Sequence, residues 1–267
     1  MTLLQIVVLS VIQGITEFLP ISSSGHLVLV PALTGWPDQG PLIDVAVHVG
    51  TLLAVMLYFW RDMGLLLRGA ASLARGRVDP GARLLLLLGV GTVPIVLFGA
   101  WLHFGGHSAG LRSAELIGWT MLLFGVVLYW SDRVGSAMQR METLTLGQVV
   151  VVGLAQALAL IPGTSRSGIC ITAARFLGFE RGDAARLAML LAIPTIFAAG
   201  LLGGFELWKT ESLALGQDAL IAAILAFVTA LIAIWAMMRW LQRATYTPFV
   251  VYRIVLGAGL LIWVYAG

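Results

Sequence analysis

Six long apolar segments set the terms for this chain. They cover about 43–60, 83–102, 113–131, 187–205, 217–238 and 248–266, and each is close to the ~20 residues a helix needs to cross a hydrocarbon core. Because they recur from end to end, the expected fold class is an all-α polytopic membrane protein, one membrane domain over 1–267. Composition agrees, with 60% hydrophobic and 11% charged residues, whereas a soluble domain carries about 25% charged. Trp60, Trp101, Trp130, Trp208, Trp240 and Trp263 stand near the segment ends, as interfacial aromatics do. The net charge of +3 forms no basic stripe, so nucleic acid is not an expected partner. Cys170 is the single cysteine; it excludes an internal disulfide and reads as a small buried hydrophobe. No Lys or Arg precedes Arg61, so the start of the chain lacks the basic region of a secretory signal.

Four further apolar segments are shorter and come as two broken pairs, about 3–18 with 22–34 and 147–161 with 165–178. A Pro/Ser/Gly-rich turn divides each pair. Two short helices joined by such a turn can dip into a bilayer and return, provided protein or a wet cavity surrounds the turn. The turns also resemble each other. QGITEFLPISSSGHL (13–27) aligns with QALALIPGTSRSGIC (156–170) at a constant spacing of 143, pairing Gln13 with Gln156, Ser22 with Ser165, Ser24 with Ser167 and Gly25 with Gly168. The chain therefore reads as two halves, about 1–135 and 144–267, each with one broken pair and three spans.

An odd number of spans per half gives the halves opposite orientation. If the 61–83 loop is cytoplasmic, the cytoplasmic side holds Arg61, Arg68, Arg75, Arg77, Arg83, Arg133, Arg140, Arg181, Arg186, Arg239 and Arg243, against Arg112 and Lys209 outside. That bias follows the positive-inside rule. The RGRVDPGAR stretch is then a topology determinant. The first pair enters from the outer face and the second from the inner face, and their tips meet within the bilayer. This is an inverted-topology repeat of six spanning helices plus two re-entrant helix pairs, with a site at the midplane.

Such a topology gathers Glu17, His26 and Arg166, groups that cost roughly 2.5–3.5 kcal/mol each in a membrane centre. Gln13 and Glu17 lie four residues apart on one helix face; their oxygens suit a hard divalent cation, Mg²⁺ or Ca²⁺. Ser22, Ser23, Ser24, Ser165 and Ser167 bring hydroxyls and backbone N–H groups to the starts of two helices, where phosphate binds. Arg166 adds a planar donor fork matched to phosphate oxygens, and His26 can move protons near neutral pH. Taken singly, each has a blander reading: serines as helix–helix glue, the histidine as a structural donor, Glu17 and Arg166 as a structural ion pair. Their conjunction at matched positions of two tips favours phosphoryl transfer. Asp44 and His48 are read as structural residues near the outer interface, and Arg253 is given no role.

At these residues the sequence resembles the membrane-integral undecaprenyl-diphosphate phosphatases of bacteria, the family linked to bacitracin resistance. The resemblance spans essentially the whole chain. Its most specific parts are an (E/Q)xxxE motif from Gln13 to Glu17, the following FLPISSSGH, and PGTSRSG at 162–168. It implies release of the terminal phosphate from undecaprenyl diphosphate, which recycles the lipid carrier for peptidoglycan synthesis. It also implies divalent-metal dependence, a location in the bacterial inner membrane and a site open to the periplasmic side. Carried over by position, the essential residues are Gln13, Glu17, Ser23, His26 and Arg166, with Ser22, Ser24, Ser165 and Ser167 in support. Three positions depart from the common pattern. Gln13 replaces a glutamate and cannot act as a base, Cys170 stands where threonine is usual with Thr172 as the nearest substitute, and Ser24 replaces a threonine.

The expected mechanism is attack of Ser23 on the terminal phosphorus, with His26 or Glu17 managing protons; a metal-activated water is the variant. The expected partners are the polyprenyl diphosphate and membrane lipids, and a homo-oligomer is compatible with the pattern. The rival reading from another class is an inverted-repeat transporter or lipid-carrier flippase, since broken helices serve such carriers too. A purely structural membrane subunit would leave the deep charges and the duplicated tips unexplained.

Overall fold

The computed structural model describes residues 1–37, 40–106, 113–209 and 216–266, with side chains for all of these except 206–209. The described chain is all-helical: α1 (Leu3–Thr16), α2 (Ser23–Thr34), α3 (Gly40–Tyr58), α4 (Trp60–Leu73), α5 (Pro80–Phe104), α6 (Ala114–Val134), α7 (Leu146–Ala157), α8 (Arg166–Phe176), α9 (Arg181–Lys209), α10 (Gly216–Leu241) and α11 (Thr247–Ala266). Six of these, α3, α5, α6, α9, α10 and α11, are long and apolar enough to cross a membrane. They coincide with the six segments expected from hydropathy, although α9 starts at Arg181, earlier than the apolar run alone suggested. Trp60, Trp101, Trp130, Trp240 and Trp263 are exposed at helix ends. Trp208 and Arg112, counted in the sequence reading, lie outside the described side chains.

Local signals explain the helix starts. Thr2 caps α1 in a capping box with Gln5, and Thr145 caps α7 in a second box with Gln148. Each box satisfies two orphan N–H groups at a helix start. The Asp79 carboxylate accepts from the Ala82 N–H at 2.7 Å and precedes Pro80, which is tolerated at the first helical position. One expectation needs correction. Residues 61–83 are not a loop throughout, because α4 occupies most of that stretch. Its arginines interrupt the apolar run without breaking helical periodicity. Asp62 and Gly69 form the buried side, and Asp62 pairs with Arg186 of α9.

Packing sets α1 and α7 each against a long helix and buries α8 among its neighbours. α1 lies on α10, α7 lies on α5, α3 lies against α9 and α10, and α6 lies along α11. α8 is buried nearly from end to end, and so is the Ala184–Ala192 stretch of α9 that packs on it, apart from Arg186. Outward faces carry Leu53, Leu57, Leu97, Leu123, Leu201 and Ile224 in the open, a contiguous apolar exterior that water would not tolerate. Small residues allow the closest crossings. A Cβ on Gly153 of α7 would sit 2.4 Å from the Gly91 carbonyl oxygen of α5, so the two backbones touch where larger side chains would part them.

Candidate functional site

Both tips are built the same way. Ser22 and Ser165 are the N-caps of α2 and α8, and their hydroxyls accept from the N–H groups of Gly25 (3.3 Å) and Gly168 (3.1 Å). Each sits at positive φ, 72° and 71°, a conformation that costs a non-glycine residue about 1–3 kcal/mol. The Ser22 and Ser24 hydroxyls lie 3.3 Å apart, and those of Ser165 and Ser167 lie 3.2 Å apart. The matched strain places Ser23 and Arg166 at the first positions of their helices.

Glu17 ends α1 and is the hub. Its Oε1 pairs with an Arg166 guanidinium nitrogen at 2.6 Å. Its Oε2 accepts from the Ser23 hydroxyl at 2.6 Å and from Gln13 Nε2 at 2.7 Å. Glu17 and Arg166 come from different turns, 149 residues apart, so the ion pair ties the α1–α2 turn to the α7–α8 turn. Ser167 adds a second tie, its hydroxyl donating to the Leu19 carbonyl at 2.9 Å. Glu17, Ser23, Ser24, Ser165 and Arg166 line a cavity of about 180 Å³, closed on its other side by Ile95, Thr195, Ile196 and Ala199. Of the sequence-predicted residues, Gln13 lies beneath this cavity, while Ser22 and Ser167 are engaged in turn geometry rather than lining it.

His26 lies elsewhere. Its Nδ1 donates to the Ser22 carbonyl at 2.7 Å, which leaves Nε2 to accept from the Tyr252 hydroxyl of α11 at 2.5 Å. The imidazole and the phenol ring stack with centroids 5.7 Å apart. It does not line the Glu17 cavity; it braces the turn that carries Ser23.

Two residues that sequence reading set aside belong to the surroundings of the site. His48 lines the cavity. Its Nδ1 donates to the Asp44 carbonyl at 2.7 Å, and its Nε2 faces Gln13 Nε2 at 3.2 Å and Glu17 Oε2 at 4.0 Å. The i,i+4 spacing of Asp44 and His48 was visible, but the backbone oxygen of Asp44 holds the ring. Arg253 is fully buried and donates to five carbonyls: Pro20 of one tip, Gly163 and Thr164 of the other, and Thr120 and Met121 of α6. It gathers both turns on one guanidinium, and no acid in the sequence pattern announces such a partner set.

The donor set can be tested against a divalent cation. With Glu17 Oε2 and His48 Nε2 both acceptors, the NH₂ of Gln13 is the end that faces them, and its Oε1 is buried without a partner. A bare amide oxygen suits a hard cation, but it is turned away from Glu17, so only a turned-over amide brings both oxygens to one ion. Among the described residues no three His, Cys, Asp or Glu side chains gather as a cage, so a cation here would share its shell with phosphate oxygens and water.

A family model described as Bacitracin resistance protein BacA matches residues 6–259. A protein of Jannaschia sp. (strain CCS1), named undecaprenyl-diphosphatase, is 53% identical over 267 residues, 100% of each chain. One of Ruegeria pomeroyi with the same name is 55% identical over 262 residues, 98% of each. One of Maricaulis maris, again so named, is 47% identical over 98% of this chain and 99% of its own. Matched from residue 6 to residue 259 and about half identical to these relatives over almost their whole lengths, the chain belongs to the bacitracin resistance protein BacA family.

Proposed function

We propose that this protein hydrolyses undecaprenyl diphosphate to undecaprenyl phosphate and inorganic phosphate in the cavity framed by Glu17, Ser23 and Arg166. The observation that carries the reading is the single carboxylate held between a hydroxyl and a guanidinium, each at 2.6 Å. That is a nucleophile with a base in contact and an anion receptor beside it. The terminal phosphate takes the Arg166 fork and the hydroxyls of Ser24 and Ser165. Ser23 Oγ then bonds to the terminal phosphorus while the bridging P–O bond breaks, and its proton passes to Glu17. Undecaprenyl phosphate leaves. That proton leaves Glu17 with the undecaprenyl phosphate; water then attacks the phosphoserine, and Glu17 accepts its proton and returns it to Ser23 Oγ as the Oγ–P bond breaks, so phosphate departs and Ser23 is restored. His26, held off by Tyr252, keeps the Ser22 turn in place. A divalent cation held by Glu17 and a turned-over Gln13 amide would neutralise charge on the phosphate oxygens.

The setting is an inverted repeat with α1–α2 and α7–α8 as re-entrant pairs. Supporting it are the two capping boxes and the two strained serine caps, repeated at a spacing of 143. Packing supports it too: α1 rests on α10 as α7 rests on α5, an exchange of equivalent helices. The cavity borders on Ile95, Thr195 and Ala199, in the halves of α5 and α9 remote from Arg83 and Arg186. By the positive-inside rule that is the periplasmic side of the inner membrane.

The test is phosphate release from undecaprenyl diphosphate by purified protein, with and without EDTA, beside a Glu17→Ala/Arg166→Ala double variant of matched thermal stability. Metal-dependent release absent from the double variant is the expected result. No release from folded wild type, with flux of the lipid in proteoliposomes, would replace this reading with transport.

A further inference from the structure

We infer that the prenyl chain of the substrate seats in the apolar groove along α11, and that Tyr252 couples this groove to the catalytic turn. The inference rests on the phosphatase reading. The groove, about 350 Å³, is walled by Leu33 of α2 and by Tyr252, Val255, Leu256, Leu260 and Trp263 of α11. From Tyr252 to Trp263 it follows α11 for roughly 16 Å at 1.5 Å per residue, enough for several isoprene units.

Continuity with the site selects the occupant. The Tyr252 ring forms the inner end of the groove, and its hydroxyl donates to His26. The other nitrogen of His26 holds the Ser22 carbonyl, and Ser23 follows at the first position of α2. The groove and the catalytic cavity thus flank the same α2 turn, one reaching it through Tyr252 and His26 and the other through Ser23. A second apolar groove, about 570 Å³, runs between Ile15, Leu19, Ala236, Trp240 and Phe249. It lies toward the arginine-bearing ends of α10 and α11, opposite to the halves of α5 and α9 that border the catalytic cavity.

Gly259 offers a clean block. A Cβ built there meets nothing within 4 Å, so Gly259→Phe fills the groove without touching backbone. The expected result is a KM for undecaprenyl diphosphate raised about tenfold or more with kcat retained, since a filled pocket rejects its ligand by at least that factor. Ala236→Phe, which fills the other groove, leaves KM unchanged. Tyr252→Phe keeps the wall and removes the hydroxyl, so kcat falls roughly tenfold, one hydrogen bond's worth, while KM holds. Unchanged KM in Gly259→Phe, or a raised KM in Ala236→Phe instead, overturns the assignment while the phosphatase reading stands. Folded wild type without turnover strikes the phosphatase reading, and the groove falls with it. A KM raised by Gly259→Phe equally for undecaprenyl and isopentenyl diphosphate overturns the groove alone, because the shorter substrate has no chain to seat there.

Discussion

Ser23 and Arg166 occupy equivalent first positions of α2 and α8, 143 residues apart, and each reaches a different oxygen of Glu17 at 2.6 Å. The two helix starts thus share one geometry, with a hydroxyl on one and a guanidinium on the other. Ser23→Ala removes the nucleophile and keeps the cap, which Ser22 supplies. Turnover is expected to fall roughly 10³-fold or more with the thermal midpoint nearly unchanged. Phosphate release measures the loss, and acid-quenched wild type with labelled substrate should yield phosphoserine at this position. Full activity in the variant would assign the attack to water.

In the proposed reaction Arg166 holds Glu17 and phosphate together, a task for a planar fork. One of its terminal nitrogens binds Glu17 and the other is buried without a partner. Lysine offers a point charge in place of two directed donors. Arg166→Lys should therefore lose about 10²- to 10³-fold in kcat, the usual penalty for removing one donor from a charge-stabilising site. Steady-state kinetics at saturating substrate would check it, and a change confined to KM would contradict it.

Arg253 acts on the turns rather than on the substrate. Arg253→Met takes a donor from five buried carbonyls, of which Thr120 and Met121 keep their α6 helix bonds, and should cost about 2 kcal/mol of stability. Turnover per folded molecule should fall as well, because Pro20, Gly163 and Thr164 lose their common anchor. Arg175→Met is the comparison. Arg175 is equally buried and binds the carbonyls of Asp132, Gly135 and Phe179, away from the tips. Its loss should lower the thermal midpoint yet leave turnover of the folded fraction intact. Equal loss of turnover in both would remove the special role of Arg253.

Asp79 gives a pH signature outside the spans. The Ser72 hydroxyl, with the Ala82 N–H next, holds its carboxyl below the usual carboxylate range. A lowered folded value means the cap stabilises fully above the unfolded value, about 3.9, and is lost as pH falls through the folded value. Asp79→Asn keeps a capping side chain without the titration. The thermal midpoint of wild type should therefore drop more steeply than that of the variant as the pH is lowered below about 4. Parallel profiles from pH 7 to pH 3 would show that Asp79 contributes nothing there.

Sequence alone marked the six spans and the two short broken segments, and it named Gln13, Glu17, Ser23 and Arg166, which the structure brings together. Those features are local: hydropathy over about twenty residues, caps three residues long, and motifs whose members are neighbours in the chain or in its duplicate. The α4 helix was harder to see, because an interrupted apolar run resembles a loop when only span length is scored. Tertiary structure decided what each deep polar group meets. His26 turned to Tyr252, 226 residues away, while His48 came to the cavity across 35 residues from Gln13. Arg253 found backbone oxygens instead of an acid. Carbonyls carry no side-chain label, and long-range partners leave no spacing to read, so only the packing of helices from both halves could assign these groups.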